Sequence, residues 1–141
     1  MSFLVSLPLT LLPLIAYNVV VFGMTGGAGG DPWATEIISI NMVSGATFKM
    51  VLGDLVVTGA LFLLFIEMLK ATRTGVSALM DHILSVLVFV VYLIEFLIAA
   101  PAATSIFFIL MVISLIDVIA GFSISITGAR RDVSFGQGGM H

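Results

Sequence analysis

The chain has 141 residues, 60% hydrophobic and 9% charged, with a formal net charge of -3 and a mean hydropathy of +1.27. A soluble domain is about 25% charged, so this chain lacks the polar surface to face water all round. Five Lys and Arg cannot build a nucleic-acid stripe, and the lack of cysteine excludes disulfides, thiolate metal sites and Cys nucleophiles.

Apolar runs of about 20 residues can cross a bilayer core of roughly 30 Å as helices. They predict an all-α membrane protein with four transmembrane helices, at about 3–23, 52–69, 79–98 and 105–126, in a single domain of residues 1–132. The first run has no Lys or Arg before it and no small-residue cleavage site after it, so it reads as a retained helix rather than a signal peptide. Pro8 and Pro13 predict a bend there, and Asn18 predicts a hydrogen bond to a neighbouring helix.

The next stretch, "MTGGAGGDPW", is a Gly-rich loop without the Lys-Ser/Thr that a phosphate-binding loop requires. Its Trp33 suits an interfacial anchor. "EIISINMVSGATFKMVL" then alternates apolar and polar with a period of two. A three-residue Val43-Ser44-Gly45 loop with Gly45 left-handed pairs Met42 with Ala46, Asn41 with Thr47, Ile40 with Phe48, Ser39 with Lys49 and Ile38 with Met50. Polar then meets polar and apolar meets apolar, which predicts a β-hairpin over about 36–51, between helices 1 and 2. Its apolar face, Ile38, Ile40, Met42, Phe48 and Met50, needs covering by the bundle, the membrane surface or another subunit.

Lys70 and Arg73 lie between spans two and three, and Arg130 and Arg131 follow span four. The positive-inside rule puts both clusters and both termini in the cytoplasm and makes the hairpin extracytoplasmic. Residues 133–141 read as a flexible cytoplasmic tail.

Ionisable residues within spans are costly and face a bundle interior or cavity. Asp81, Ser85, Val88, Tyr92, Glu95 and Ala99 share one stripe of span three, and Ser114, Asp117, Gly121 and Ser125 share an arc of span four. The simplest packing turns these faces together, with Tyr92 and Ser85 as partners of Asp117. Gly121 and Ser125 are also oligomer-contact candidates, with Ile38, Ile40 and Phe48 of the hairpin. Asp54 and Glu95 share the outer half and would share a proton if close; Glu67, Asp81 and His82 form a cytoplasmic mouth, with Asp117 between the two groups. Simpler roles compete. Asp54 and Asp81 suit helix N-termini, Glu67 can pair with Lys70 or Arg73 and snorkel, and His82 suits the interface. Asp117 has no helix end or cation near it in sequence, so it reads as an interhelical or intersubunit hydrogen-bonding group, or as part of an ion or proton pathway. No catalytic set, metal site or cofactor site emerges. Only His82 could be an intramembrane ligand, and Ser85, His82 and Asp81 lie on one helix turn, where relay geometry fails.

"SGATFKMVLGDLVV", "FIEMLKATRTG", "MDHILSVLVF" and "DVIAGFSISITGARRDVS" resemble a group of small uncharacterised four-helix inner-membrane proteins of proteobacteria. The resemblance implies a bacterial inner membrane and carries no activity and no site residues. The resulting expectation is a non-enzymatic structural or accessory subunit, self-assembling or packed on a larger complex in the lipid bilayer. The alternative is an oligomeric ion or proton channel, or a proton-coupled transporter, using the intramembrane carboxylates.

Overall fold

The computed structural model describes residues 7–24, 30–72 and 76–138. Helix α1 covers Leu11–Asn18 and continues as a π-helical turn over Val19–Met24. A 3-10 turn, Pro32–Ala34, precedes the strands β1 (Glu36–Asn41) and β2 (Thr47–Val51). Helices α2 (Leu52–Lys70), α3 (Val76–Ile98) and α4 (Ser105–Gly138) follow, with a 3-10 turn at Ala100–Ala102 between the last two. Three helical stretches, Leu52–Lys70, Ala78–Ile98 and Ser105–Ile124, are long and apolar enough to cross a membrane.

The first helix departs from expectation. Residues 1–6 lie outside the described part, and the apolar helix Leu11–Gly23 is only about 20 Å long at 1.5 Å per residue, short of the hydrocarbon thickness. Neither proline sits where it would bend the helix. Pro8 lies in the turn before the helix, and Pro13 sits in its first turn, where no intrahelical donor is lost. At the other end of the chain, α4 runs to Gly138, well past the predicted end at 126 and through residues 133–138 of the predicted tail. No proline interrupts it, and Gly alone costs a helix only about 1 kcal/mol.

The hairpin has the predicted register: Ile38 faces Met50, Ser39 faces Lys49, Ile40 faces Phe48 and Asn41 faces Thr47. Met42 N–H donates to Ala46 O at 2.8 Å, and Gly45 has φ +89°, the left-handed conformation that closes a three-residue loop. Thr47 Oγ1 donates to Asn41 Oδ1, and Lys49 pairs with Glu36 at 3.5 Å across the polar face. The bundle does not cover the apolar face: Ile40 is 52% and Phe48 43% exposed.

β2 passes straight into α2, where Asp54 accepts the Val51 N–H in the first turn, a carboxylate favoured at a helix N-terminus. Gly53 is required there: a Cβ would lie 2.8 Å from Ile106 Cδ1 and 3.3 Å from the Trp33 carbonyl. Gly53→Ala is therefore expected to destabilise the protein by about 1–3 kcal/mol through overpacking. Denaturant unfolding in detergent micelles measures it, and an unchanged midpoint would contradict this seating of α2.

Helix α4 is the hub, with α2 and α3 both packed against it. Near the hairpin its core is aromatic. Trp33 is buried rather than interfacial because it stacks on Tyr17, with centroids 4.6 Å apart, while Asp31 caps its backbone N–H. Phe107 packs against Tyr17, Tyr92 and Phe96. Tyr17 O–H donates to Pro101 O at 2.7 Å, leaving its oxygen to accept from Thr104 Oγ1 at 2.7 Å. Thr104 in turn accepts the Phe107 N–H as the N-cap of α4.

Candidate functional site

The up-and-down course of the helices brings the Lys70 end of α2, the start of α3 and the second half of the apolar part of α4 together. A cleft of about 10 Å³ lies there, lined by Glu67, Lys70, Asp81, His82, Ser85 and Asp117 among others. That is roughly the minimum that holds one water. Small residues make the approach: a Cβ on Gly121 would meet the His82 ring at 3.3 Å and the Ala71 methyl at 3.7 Å. Gly121, expected among oligomer contacts, is thus buried within its own chain; the Ser125 side chain lies outside the described residues.

Glu67 is 5% exposed, so it does not snorkel. Its Oε1 accepts from Lys70 Nζ at 3.0 Å and from Leu9 N–H at 2.7 Å, while Lys70 Nζ also donates to Leu7 O. A carboxylate with two donors, one of them cationic, is well satisfied when buried. It also pins the turn before α1 to α2.

Asp117 is 4% exposed. The buried Ser85 hydroxyl is its hydrogen-bond partner, and Glu67, Lys70 and Asp81 are its charged neighbours. Its second oxygen, Oδ2, is buried without a hydrogen-bond partner, as is Oδ1 of Asp81. Ser114, one turn from Asp117 toward the hairpin, is 1% exposed, and its hydroxyl is also unpartnered. His82 meets Phe122 edge-on at 6.1 Å.

The predicted stripes of spans three and four therefore meet, but two expected contacts do not form. Tyr92 leaves Asp117 for the backbone, donating to Thr10 O at 2.7 Å. Asp54 and Glu95 do not pair: Asp54 is exposed at the start of α2, whereas Glu95 accepts from Asn18 Nδ2 at 3.2 Å on the α1 side of α3. Asn18 thereby finds the interhelical partner expected of it. Glu95 and Asn18 also line an open, mostly apolar groove with Leu14, Ile15, Val19 and Val91. Between Asp117 and the hairpin end, α4 contributes buried Ile113, Leu110 and Phe107, and α3 contributes Val88 and Tyr92. Among the described residues no continuous row of carboxylates joins the two ends of the helix bundle.

Lys70 is the partner of Glu67, one of the two cations that the sequence offered it. Thr10, buried with an unpartnered hydroxyl, and the Leu9 amide gave no sequence signal. Among the described residues no group of three or more His, Cys, Asp or Glu is placed to hold a metal ion. No protein-family model, curated protein or solved structure matches the chain.

Proposed function

We propose that the protein is a multi-pass component of a bacterial inner membrane, with α2, α3 and α4 as full spans and the shorter α1 crossing as a fourth by locally thinning the bilayer, both termini cytoplasmic and the hairpin outside. In this reading it acts as a structural or accessory subunit that self-assembles or packs on a larger complex, and it catalyses no reaction. The observation that supports it is the hairpin. Its register is well specified, yet Ile38, Ile40, Met42 and Phe48 are exposed on its apolar face, and a short ribbon of this kind is marginal alone. The inward position of Asp117, bonded to Ser85 of its own chain, also favours a polar contact that holds helices together over a pathway. In the transport alternative, conduction would run between copies, because Asp54 and Glu95 lie apart from the Asp117 cluster.

A charge in the apolar face tests the assembly. Ile40→Lys is expected to lower the native mass of the purified complex in mild detergent, while Thr47→Lys on the polar face leaves it unchanged. An Ile40→Lys protein of unaltered mass and composition would overturn this role for the hairpin.

A further inference from the structure

Around the cleft at the Lys70 end, carboxylates outnumber their donors. Glu67 is balanced by Lys70 and the Leu9 amide. That leaves Asp117 and Asp81, whose facing groups are Glu67 and Lys70 from α2, His82 and Ser85 from α3, and no ionisable side chain from the neighbouring part of α1. Each keeps one buried oxygen without a donor, Oδ2 on Asp117 and Oδ1 on Asp81. A buried carboxylate oxygen without a donor forfeits its hydration with nothing in return. A bound cation would supply what is missing, and the space decides which one. A cleft of about 10 Å³ takes no hydrated ion; calcium and magnesium need six or more oxygens, and among the described residues no group of three or more His, Cys, Asp or Glu is placed to hold a metal ion.

We propose that this cleft is a proton-binding site in which Asp117 and Asp81 share one exchangeable proton, with Ser85 orienting the Asp117 carboxyl. The proton converts one unpartnered oxygen from acceptor to donor, and the single water for which the cleft has room links the two carboxyl groups. Its route is one-sided. The cleft lies among Lys70, Ala71 and Ala78 at the helix ends, whereas Ile113, Leu110 and Phe107 close the way toward the hairpin. The site therefore takes up and releases its proton at the same end. It joins α2, α3 and α4 there, and is a proton-responsive clasp rather than a conduit. This inference is independent of the assembly reading, which is measured on hairpin variants and by mass.

Infrared spectroscopy of the full-length protein in lipid bilayers tests it. The unmodified protein is expected to show the carbonyl stretch of a protonated carboxylic acid at mildly acidic pH and to lose it as the pH is raised, with the band shifted in D2O because the proton exchanges. Asp117→Asn should remove this band and Asp81→Asn should shift it, while Asp54→Asn, at an exposed helix cap, leaves it in place. Ser85→Ala, which retains both carboxyls, should move the band without abolishing it, and it serves as the readout if Asp117→Asn does not fold. Absence of the band from the unmodified protein, a band untouched by Asp117→Asn or Asp81→Asn, or an unmoved band in Ser85→Ala would each overturn the proposal.

Discussion

Replacing Glu67 with alanine is expected to cost about 3–5 kcal/mol of stability, the range for breaking a buried ion pair by removing one partner. The loss comes from what remains. Lys70, whose side chain is 14% exposed, keeps its charge and only the Leu7 carbonyl, and the Leu9 N–H loses its acceptor. Glu67→Gln retains an acceptor for Leu9 and should cost clearly less. Replacing both members of the pair with leucine removes the charges together, and is expected to recover much of the alanine deficit, since well-packed apolar substitutes for buried ion pairs are often neutral or better. Reversible unfolding in mixed detergent micelles gives the double-mutant cycle. An alanine variant as stable as the parent would show that Glu67 reaches water.

Phe107→Ala is the second large effect, and the proposed membrane setting changes its arithmetic. In water this substitution loses both the transfer free energy of the ring and the cavity term, about 3–5 kcal/mol together. In lipid, separated helices still keep the ring in hydrocarbon, so packing rather than the hydrophobic effect is what is lost. A cavity of about 100 Å³ at roughly 24 cal/mol per Å³ leaves an expected loss of about 2–3 kcal/mol. Phe107 is fully buried, with Tyr17 at 4.9 Å and Tyr92 at 5.5 Å, so little can collapse into the space. Phe62 is the control. It is 68% exposed on α2, and Phe62→Ala should stay within about 0.5 kcal/mol of the parent. Equal losses for the two variants would mean that α4 does not face inward at Phe107.

The hairpin was legible residue by residue because its determinants are local. The period of two, one glycine able to adopt positive φ, and the matching of polar with polar across the turn leave one good register. The start of α2 at Leu52 was legible for the same reason: Asp54 stands where a helix N-terminus wants a carboxylate. Pro13 misled because proline bends a helix only beyond its first turn, and where that turn begins depended on Pro8 and on the Leu9 amide reaching Glu67. Trp33 misled because its partner, Tyr17, lies on another element, far away in sequence.

The candidate site divides along the same line. That Asp81 and Ser85 share a face, and Asp117 and Gly121 another, follows from helical periodicity alone, as does the need of Asp117 for a partner. Which groups would meet followed only in part: Ser85 beside Asp117, and Glu67 with Asp81 and His82, were expected and are found together. Asp54 and Glu95 were placed at one depth, and the fold put α4 at the centre, with Asp54 capping α2 and Glu95 turned to Asn18. Tyr92 shares the stripe of Ser85, but its hydroxyl goes to the Thr10 carbonyl rather than to Asp117. By itself the sequence determined the apolar helices, the hairpin and its register, and the faces on which polar residues fall, because all of these are set by neighbours within a few positions. Only the tertiary structure decided that Glu67, Asp81, Ser85 and Asp117 enclose one cleft while Asp54 and Glu95 stand apart. The rotation of each helix, and the neighbour it meets, is set by packing around α4, which sums contacts between residues far apart in the chain.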